Sequence, residues 1–106
     1  MGKLSREKGK RGERAVCDLL IKAGFAARRG QQFKGTKDSP DVIHSMWDID
    51  IEAKWRQQWA VYDWLEKLNE EGSGRPVVFA KRDRQPVVVL LYAEDFLQLM
   101  KELYNV

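Results

Sequence analysis

Apolar and polar residues alternate or recur along the chain in patterns that predict eight elements, in the order α-β-β-β-α-β-β-α. The clearest pattern is the strict alternation of large apolar and charged residues over 47–55, which is typical of a half-buried strand. Apolar spacings of three and four predict a first helix that begins within 5–12 and ends at Gly24, since glycine is favoured just past a helix end.

The other predicted elements are shorter. A Gly- and Lys-rich loop over 30–40 separates the first two strands, and a charged turn at 83–85 joins the last two into a hairpin. The remaining strands are expected at 25–29, 41–46, 76–82 and 86–92, and the remaining helices at 58–71 and 94–104. Continuous apolar runs such as 87–92 suit strands that are covered on both faces. We therefore expect an α/β fold, with a central mixed sheet of about five strands flanked by helices.

Length and composition narrow the class of protein. The chain has 106 residues, enough for one domain with its own core, and we expect a single domain over 1–106 with a flexible basic segment at 1–8. The single cysteine, Cys17, lies on the apolar stripe of the first helix and is expected to be core; one cysteine excludes an internal disulfide. No apolar run is long enough to span a membrane, so we expect a cytoplasmic protein without membrane contact.

The charge is unevenly distributed. Residues 1–37 hold 11 Lys and Arg against three acidic residues, a net charge of +8, whereas residues 38–106 hold eight against 13, a net charge of −5. The basic part favours a nucleic-acid partner over a merely solvated helix, because its charges continue past the first helix. The basic residues expected to contact the DNA backbone are Lys8, Lys10, Arg11, Arg14, Arg28, Arg29, Lys34 and Lys37.

Acidic residues gather around one lysine. Glu52 and Lys54 are two apart on the alternating strand and therefore project from the same face. If 41–46 and 47–55 pair as an antiparallel hairpin, Asp41 can lie within reach of Glu52. Two carboxylates beside a lysine form a site for a divalent metal with a cation next to the bound water. Asp48 and Asp50 share the face of Glu52 and compete with it as ligands; Glu52 is preferred because Lys54 follows two residues later.

Glu13 begins the apolar stripe of the first helix, three residues before Val16. An inward carboxylate requires a partner, which a metal-bound water or Lys54 would provide. The alternative is a solvated helix start, with Glu13 paired to Arg6 or Lys10.

His44 is the only histidine, and it is expected to be a structural or surface residue rather than a metal ligand or a general base. The four tryptophans are expected in the core or at an interface. Trp64 belongs to the core by its helical spacing, whereas Trp55 or Trp59 could serve a dimer contact. The set is Trp47, Trp55, Trp59 and Trp64.

Two motifs carry a resemblance to a known family. Pro40-Asp41 followed by Glu52-Ala53-Lys54 resembles the PD-(D/E)-x-K motif of restriction-endonuclease-like nucleases. The helix motif Gly12-Glu13-Arg14 and the element order are similar to the Holliday junction resolvase branch found in archaea and phages, over about residues 9–103. The segment 30–39 departs from that branch, since no position matches its serine-containing segment.

The resemblance implies an active-site set of Glu13, Asp41, Glu52 and Lys54. Mg²⁺, with Mn²⁺ as an expected substitute, would be held by Asp41, Glu52 and the backbone carbonyl of Ala53, and Glu13 would lie in the outer shell or bind a second metal. In similar nucleases a polar residue at about the position of Gln58 contacts a DNA phosphate, so the resemblance makes Gln58 a candidate for this contact. A homodimer that cuts four-way or other branched DNA is the implied working unit. The alternatives are a general nicking or flap nuclease, or a basic nucleic-acid-binding domain without catalysis.

Overall fold

The computed structural model describes residues 2–30, 42–46 and 48–106, of which 2–6 are described by their backbone alone. The predicted order of the eight elements is confirmed. They are α1 (Gly2–Lys22), β1 (Ala27–Arg29), β2 (Val42–His44), β3 (Ile49–Trp55), α2 (Val61–Glu71), β4 (Arg75–Lys81), β5 (Val88–Leu90) and α3 (Ala93–Tyr104). None of the helices described is long and apolar enough to cross a membrane.

Most element bounds differ from the prediction by one to three residues, among them those of the first helix and the last strand. The first helix begins at Gly2, before the expected start within 5–12, so the segment 2–8, expected to be flexible, is helical. Its Lys, Arg, Glu and Leu residues have high helix propensity, which outweighs the cost of Gly9. The last strand is limited to Val88–Leu90, because Pro86 has no N–H to donate to a strand ladder.

The five strands described form two hydrogen-bonded sheets. β1 and β2 are antiparallel, with Arg29 opposite Val42. β3 runs parallel to β4, with Glu52 opposite Val78, and β4 pairs antiparallel with β5, which confirms the predicted hairpin. The mixed α/β class is therefore confirmed, and the strands are divided between two sheets whose strands β2 and β3 contact each other.

The conditional pairing of 41–46 with 47–55 is not formed by the residues that the structure describes. β2 pairs instead with β1, and β3 pairs with β4. β4 explains this arrangement, because consecutive residues Pro76, Val77 and Val78 are all buried and a strand that is apolar on both sides belongs inside a sheet.

Two apolar clusters lie on opposite faces of the β3–β4–β5 sheet. The first, which we call the α1 core, joins Val16, Cys17 and Leu20 of α1 to Val42, Ile51 and Val77. The second, the α2 core, joins Leu65 and Trp64 of α2 to Val78 and Ala80. β3 separates them: its odd-numbered residues contribute to the α1 core and its even-numbered residues face α2. The core positions expected for Cys17 and Trp64 are confirmed.

Candidate active site

The even-numbered face of β3 carries an ion pair between Glu52 and Lys54. The Lys54 Nζ lies 3.2 Å from the Glu52 Oε1, and the two side chains are only 19% and 20% exposed. Strand alternation produces this contact, because residues two apart project side by side. The predicted proximity of the two groups is thus present in the folded chain.

An aromatic ring lies next to the Lys54 ammonium. The Nζ is 5.8 Å from the ring centroid of Trp64 in α2, within the range of a cation–π interaction. Trp64 is held in turn by the α2 core and by the tilted ring of Trp59, 6.2 Å away between centroids. Lys54 is therefore positioned between a carboxylate and a packed indole. The sequence placed Trp64 in the core and gave no signal for this contact, which depends on how α2 packs on β3.

The two acidic residues that compete with Glu52 on β3 have other partners. The Asp50 Oδ2 accepts a hydrogen bond of 2.7 Å from the backbone N–H of Gly74, and Asp48 forms an ion pair with Arg75 at 3.4 Å. A Cβ at Gly72 would overlap the Asp50 carboxylate, so the Gly72–Gly74 turn fits closely around it. These contacts assign Asp48 and Asp50 to the connection between α2 and β4. Glu52 is the β3 acid beside Lys54.

Glu13 lies in a separate ion pair on α1. Its Oε1 accepts a hydrogen bond of 3.3 Å from the Arg29 Nε, and the side chain is 18% exposed, in agreement with its expected inward position. Among the described side chains its partner is Arg29, rather than the predicted Lys54 or the alternative Lys10, and the side chain of the other alternative, Arg6, lies outside the described residues. The sequence gave no sign of this pair, because the expectation for Arg29 was contact with DNA.

The position of the Glu13–Arg29 pair along the sheet is informative. Arg29 lies opposite Val42, the residue that directly follows Asp41 in the chain. The neighbouring Gly12 contacts the Trp55 ring, at the end of β3. α1 therefore brings Glu13 to the start of β2 while remaining in contact with β3.

The full predicted metal set is not contained in the described residues. Within 2–30, 42–46 and 48–106, no group of three or more His, Cys, Asp and Glu residues is arranged to hold a metal ion. Pro40 and Asp41 lie outside the described residues, as do Lys34, Lys37 and Trp47. The roles of Glu13, Asp41 and Glu52 as ligands, with the carbonyl of Ala53, stay predictions.

The predicted DNA-contacting residues differ in their surroundings. Lys10, Arg11 and Arg14 are exposed on α1, and Arg28 is exposed on β1. Lys8 instead forms an ion pair of 3.7 Å with Asp83. Gln58 is exposed, whereas the side-chain carbonyl of its neighbour Gln57 accepts a hydrogen bond of 2.6 Å from the Asp83 N–H.

His44 and Cys17 are both at least partly buried. The His44 Nδ1 is buried and has no hydrogen-bond partner among the described residues. Cys17 is buried in the α1 core, and this burial, with smaller contributions from the nearby Asp18 and Glu13 carboxylates, raises the pKa of its thiol. Neither group contacts Glu52 or Lys54 in the described part of the chain.

Comparison with known proteins shows a likeness to a solved structure. No protein-family model matches the chain, and no curated protein matches it by sequence. The structure is similar to that of Hjc from Archaeoglobus fulgidus, a Holliday junction resolvase from an archaeal hyperthermophile, with a TM-score of 0.57 and 24% sequence identity over 76% of this chain and 73% of that one. The α/β arrangement expected from the sequence is therefore confirmed, and the fold of this chain is similar to that of the resolvase.

Proposed function

We propose that this protein is a metal-dependent endodeoxyribonuclease that hydrolyses phosphodiester bonds in branched DNA, with four-way junctions as its preferred substrate. The observation that carries the proposal is the half-buried Glu52–Lys54 pair, set apart on β3 from the two acids that serve the α2–β4 connection. Fold similarity to a Holliday junction resolvase, the Pro40-Asp41 sequence before β2 and the basic surface of α1 support it.

The donor groups of this region fit Mg²⁺ by their chemistry, since it prefers oxygen ligands and commonly uses one or two carboxylates. Glu52 supplies one carboxylate, with Asp41 and the backbone carbonyl of Ala53 as the further ligands, and Glu13 lies in the outer shell or serves a second metal. Mn²⁺ has the same preference for oxygen and is expected to substitute. The metal would supply Lewis-acid activation of the scissile phosphate and of water.

Lys54 has two tasks in this proposal. Its ammonium can donate a hydrogen bond to the attacking water, and its charge offsets the negative charge that develops on the phosphate oxygens. Because Trp64 and Glu52 limit the conformations of the Lys54 side chain, this side chain loses little conformational entropy when DNA binds.

The basic side chains contribute binding rather than chemistry. Lys10, Arg11, Arg14 and Arg28 are exposed and free to contact phosphates, which provides affinity without base recognition. Arg29 is committed to Glu13 in the absence of DNA. A homodimer acting in the cytoplasm completes the proposal, because a two-fold pair of sites matches the two symmetric cuts that resolve a junction.

One labelled strand, presented as duplex, nicked, flap and four-way DNA, tests the proposal with and without Mg²⁺ or Mn²⁺. We expect metal-dependent cleavage that is fastest on the four-way junction. Equal cleavage of all substrates would indicate a general nicking nuclease, and preferential cleavage of the flap a flap nuclease. Binding without cleavage under every condition would indicate a nucleic-acid-binding domain without catalysis.

A further inference from the structure

A cavity of about 390 Å³ lies at the edge of the sheet where β3 and β4 end. These strands are parallel, with Trp55 opposite Lys81, so the segments that follow them leave the sheet side by side. In open α/β sheets, ligands commonly bind outside the carboxyl ends of the strands. The polar and aromatic lining of the cavity comes from both segments: Gln57 and Trp59 after β3, and Arg82, Asp83 and Gln85 after β4.

The walls of this cavity are held in place before any ligand binds. The side-chain carbonyl of Gln57 accepts a hydrogen bond of 2.6 Å from the Asp83 N–H, which joins the two segments. The Trp59 Nε1 donates a hydrogen bond of 2.9 Å to the Arg56 carbonyl, and the Trp59 side chain packs against the α2 core. A ligand therefore meets a formed site and orders few side chains on binding.

One wall of the cavity is a stack of two planar groups. The guanidinium carbon of Arg82 lies 4.9 Å from the ring centroid of Trp59, within the range of a cation–π interaction. Arg82 is exposed, so the stack is open to solvent. Aromatic rings and guanidinium planes are the surfaces on which proteins stack unpaired nucleic-acid bases. The amides of Gln57 and Gln85 both donate and accept hydrogen bonds, as the polar edge of a base requires.

The turn after β4 surrounds this wall with positive charge. Within 81–85, the cations Lys81, Arg82 and Arg84 stand against a single acid, Asp83. The Asp83 carboxylate pairs with Lys8 of α1 at 3.7 Å, which offsets its negative charge. The excess of cations attracts a phosphate. A planar wall beside cations matches a nucleotide, whereas a free phosphate would not use the wall and an apolar peptide would not use the cations.

We propose that this cavity binds one unpaired nucleotide of the DNA substrate, with its base against the Trp59–Arg82 stack and its phosphate toward the cations of the turn. The inference rests on the proposed function for the identity of the substrate, and it adds a contact that is specific for unpaired bases. The cavity volume lies at the lower end of the range for small-ligand sites, which suits one nucleotide and excludes a duplex.

The cavity is connected to the proposed reactive lysine through one side chain. The Trp64 ring lies 6.2 Å from the Trp59 ring between centroids and 5.8 Å from the Lys54 Nζ. A nucleotide bound in the cavity would therefore hold its own strand near Lys54. Branched DNA supplies unpaired bases at a flap or at an opened branch point, whereas a paired duplex must first break a base pair.

Binding of two matched DNAs tests the site without catalysis. Fluorescence anisotropy in EDTA compares a duplex that carries one unpaired nucleotide with the same duplex fully paired. We expect wild-type protein to bind the first at least about fivefold more tightly, and Arg82→Gln to lose most of this preference. Arg84→Gln is the matched control, because it removes the same charge from the same turn at a position outside the cavity lining. It should weaken the binding of both DNAs alike and keep the preference.

A fluorescent base tests the stacking itself. The emission of 2-aminopurine falls when the base stacks, so this base is placed at the unpaired position. We expect wild-type protein and Trp59→Phe to lower the emission, and Trp59→Leu, which keeps an apolar side chain without a ring, to leave it near that of free DNA. Circular dichroism checks the fold of the Trp59 variants, since Trp59 contacts the α2 core. If Trp59→Leu does not fold, Arg82→Gln tests the same stack from an exposed position.

A free nucleotide offers the same chemistry as a nucleotide within DNA. We expect dAMP to displace the duplex with the unpaired nucleotide only at about millimolar concentration, because dAMP lacks the phosphate contacts with α1. Displacement by micromolar dAMP would identify a free nucleotide as the ligand and overturn the assignment to DNA.

Two results would overturn the site itself: equal binding of the two duplexes by wild-type protein, or an equal loss of preference in Arg82→Gln and Arg84→Gln. Either result leaves the nuclease proposal standing, since cleavage is measured separately with Mg²⁺. An intact preference without cleavage under any condition would refute the nuclease and support this site, so the two failures are distinguishable.

Discussion

At the scale of single residues, β3 shows how neighbouring carboxylates acquire different tasks. Asp50 and Glu52 project from the same face of β3 and Asp48 directly precedes the strand, yet Asp48 pairs with Arg75, Asp50 accepts the Gly74 N–H and Glu52 contacts Lys54. Their partners come from elements distant in sequence. The division of contacts among these acids is therefore set by the fold around the strand, not by the acids themselves.

This division predicts different effects for equivalent substitutions. Asp41→Ala, Glu52→Ala and Lys54→Ala should each lower cleavage by about 10²-fold or more and leave DNA binding largely intact, since these groups act on the reacting phosphate. Asp50→Ala should leave cleavage near wild-type and lower the free energy of unfolding by about 1–3 kcal/mol, because the Gly74 N–H loses its acceptor. Single-turnover cleavage and urea unfolding measure the two effects. Near wild-type cleavage by Lys54→Ala would contradict the role given to Lys54.

The close approach of Gly12 to the Trp55 ring leads to a second prediction at the residue scale. A Cβ at Gly12 would lie 2.9 Å from the Trp55 ring, whereas a Cβ at Gly9 would meet nothing within 4 Å. Both glycines are inside α1. Gly12→Ala should therefore lower the free energy of unfolding by about 1–3 kcal/mol through overpacking. Gly9→Ala should raise it by up to about 1 kcal/mol through helix propensity. Thermal unfolding of the two variants gives the comparison, and equal effects would refute the close approach of α1 to β3.

At the scale of elements, the helical and alternating patterns of apolar residues were sufficient to predict the order of the elements and which side of each element is buried. In β3, α1 and α2, the burial of a side chain follows from its spacing to near neighbours in the sequence. The orientations predicted for these three elements are confirmed. Strand pairing follows a different rule, because it depends on which buried surfaces match across the fold. The parallel pairing of β3 with β4 and the contact of Trp64 with Lys54 belong to this second kind. The Glu13–Arg29 pair does too, and for this reason the sequence missed it.

The reactivity of the buried Cys17 thiol measures whether α1 is packed against the rest of the fold. Because burial raises the pKa of the thiol and excludes reagents, a disulfide reagent at neutral pH should modify native protein far more slowly than unfolded protein. The native thiol also keeps its proton to higher pH than an unfolded one. The free energy of unfolding should therefore fall as pH rises through the pKa of the unfolded thiol. Reaction rates against urea concentration measure the first effect, and rapid modification without denaturant would contradict the packing of α1.

At the scale of the whole molecule, the basic charge is presented mainly by α1 and β1, and the acidic charge follows in the rest of the chain. Lys10, Arg11 and Arg14 are all exposed on α1, and Arg11 lies opposite the side packed on the sheet. Packing in the α1 core thus fixes the orientation of this basic helix. This arrangement suits long-range attraction of a polyanion.

DNA affinity should therefore depend steeply on salt. Each phosphate contact contributes about one to the slope of log K against log salt for duplex DNA. Replacing Lys10, Arg11 and Arg14 together by Ala should lower the magnitude of the slope by roughly three. Replacing Lys8, which is paired with Asp83, should change it less. Fluorescence anisotropy at several salt concentrations measures the slopes, and an unchanged slope in the triple variant would show that this side of α1 does not face DNA.

A cruciform plasmid tests how two chains cooperate. Two cuts within the lifetime of one complex produce linear DNA, whereas independent cuts produce nicked circles. We expect mainly linear product from wild-type protein. We expect mainly nicked circles when wild-type is mixed with excess Lys54→Ala, because mixed dimers then carry a single active site. Nicked circles from wild-type alone, with equal cutting of linear duplex, would favour a general nicking nuclease.

The parallel pairing of β3 with β4 has a consequence for the order of folding. Parallel neighbours need a crossover, and here α2 supplies it within the continuous segment 49–81. Glu52, Lys54 and Trp64 all belong to that segment, so their mutual contacts require only short loop closures, which form early when contacts are local. Asp41 and Glu13 must arrive from outside it, with β2 and α1. The chain is thus expected to assemble the Glu52–Lys54 part of its proposed reactive centre first and to add Asp41 and Glu13 last, so that cleavage competence appears only once the whole domain has folded.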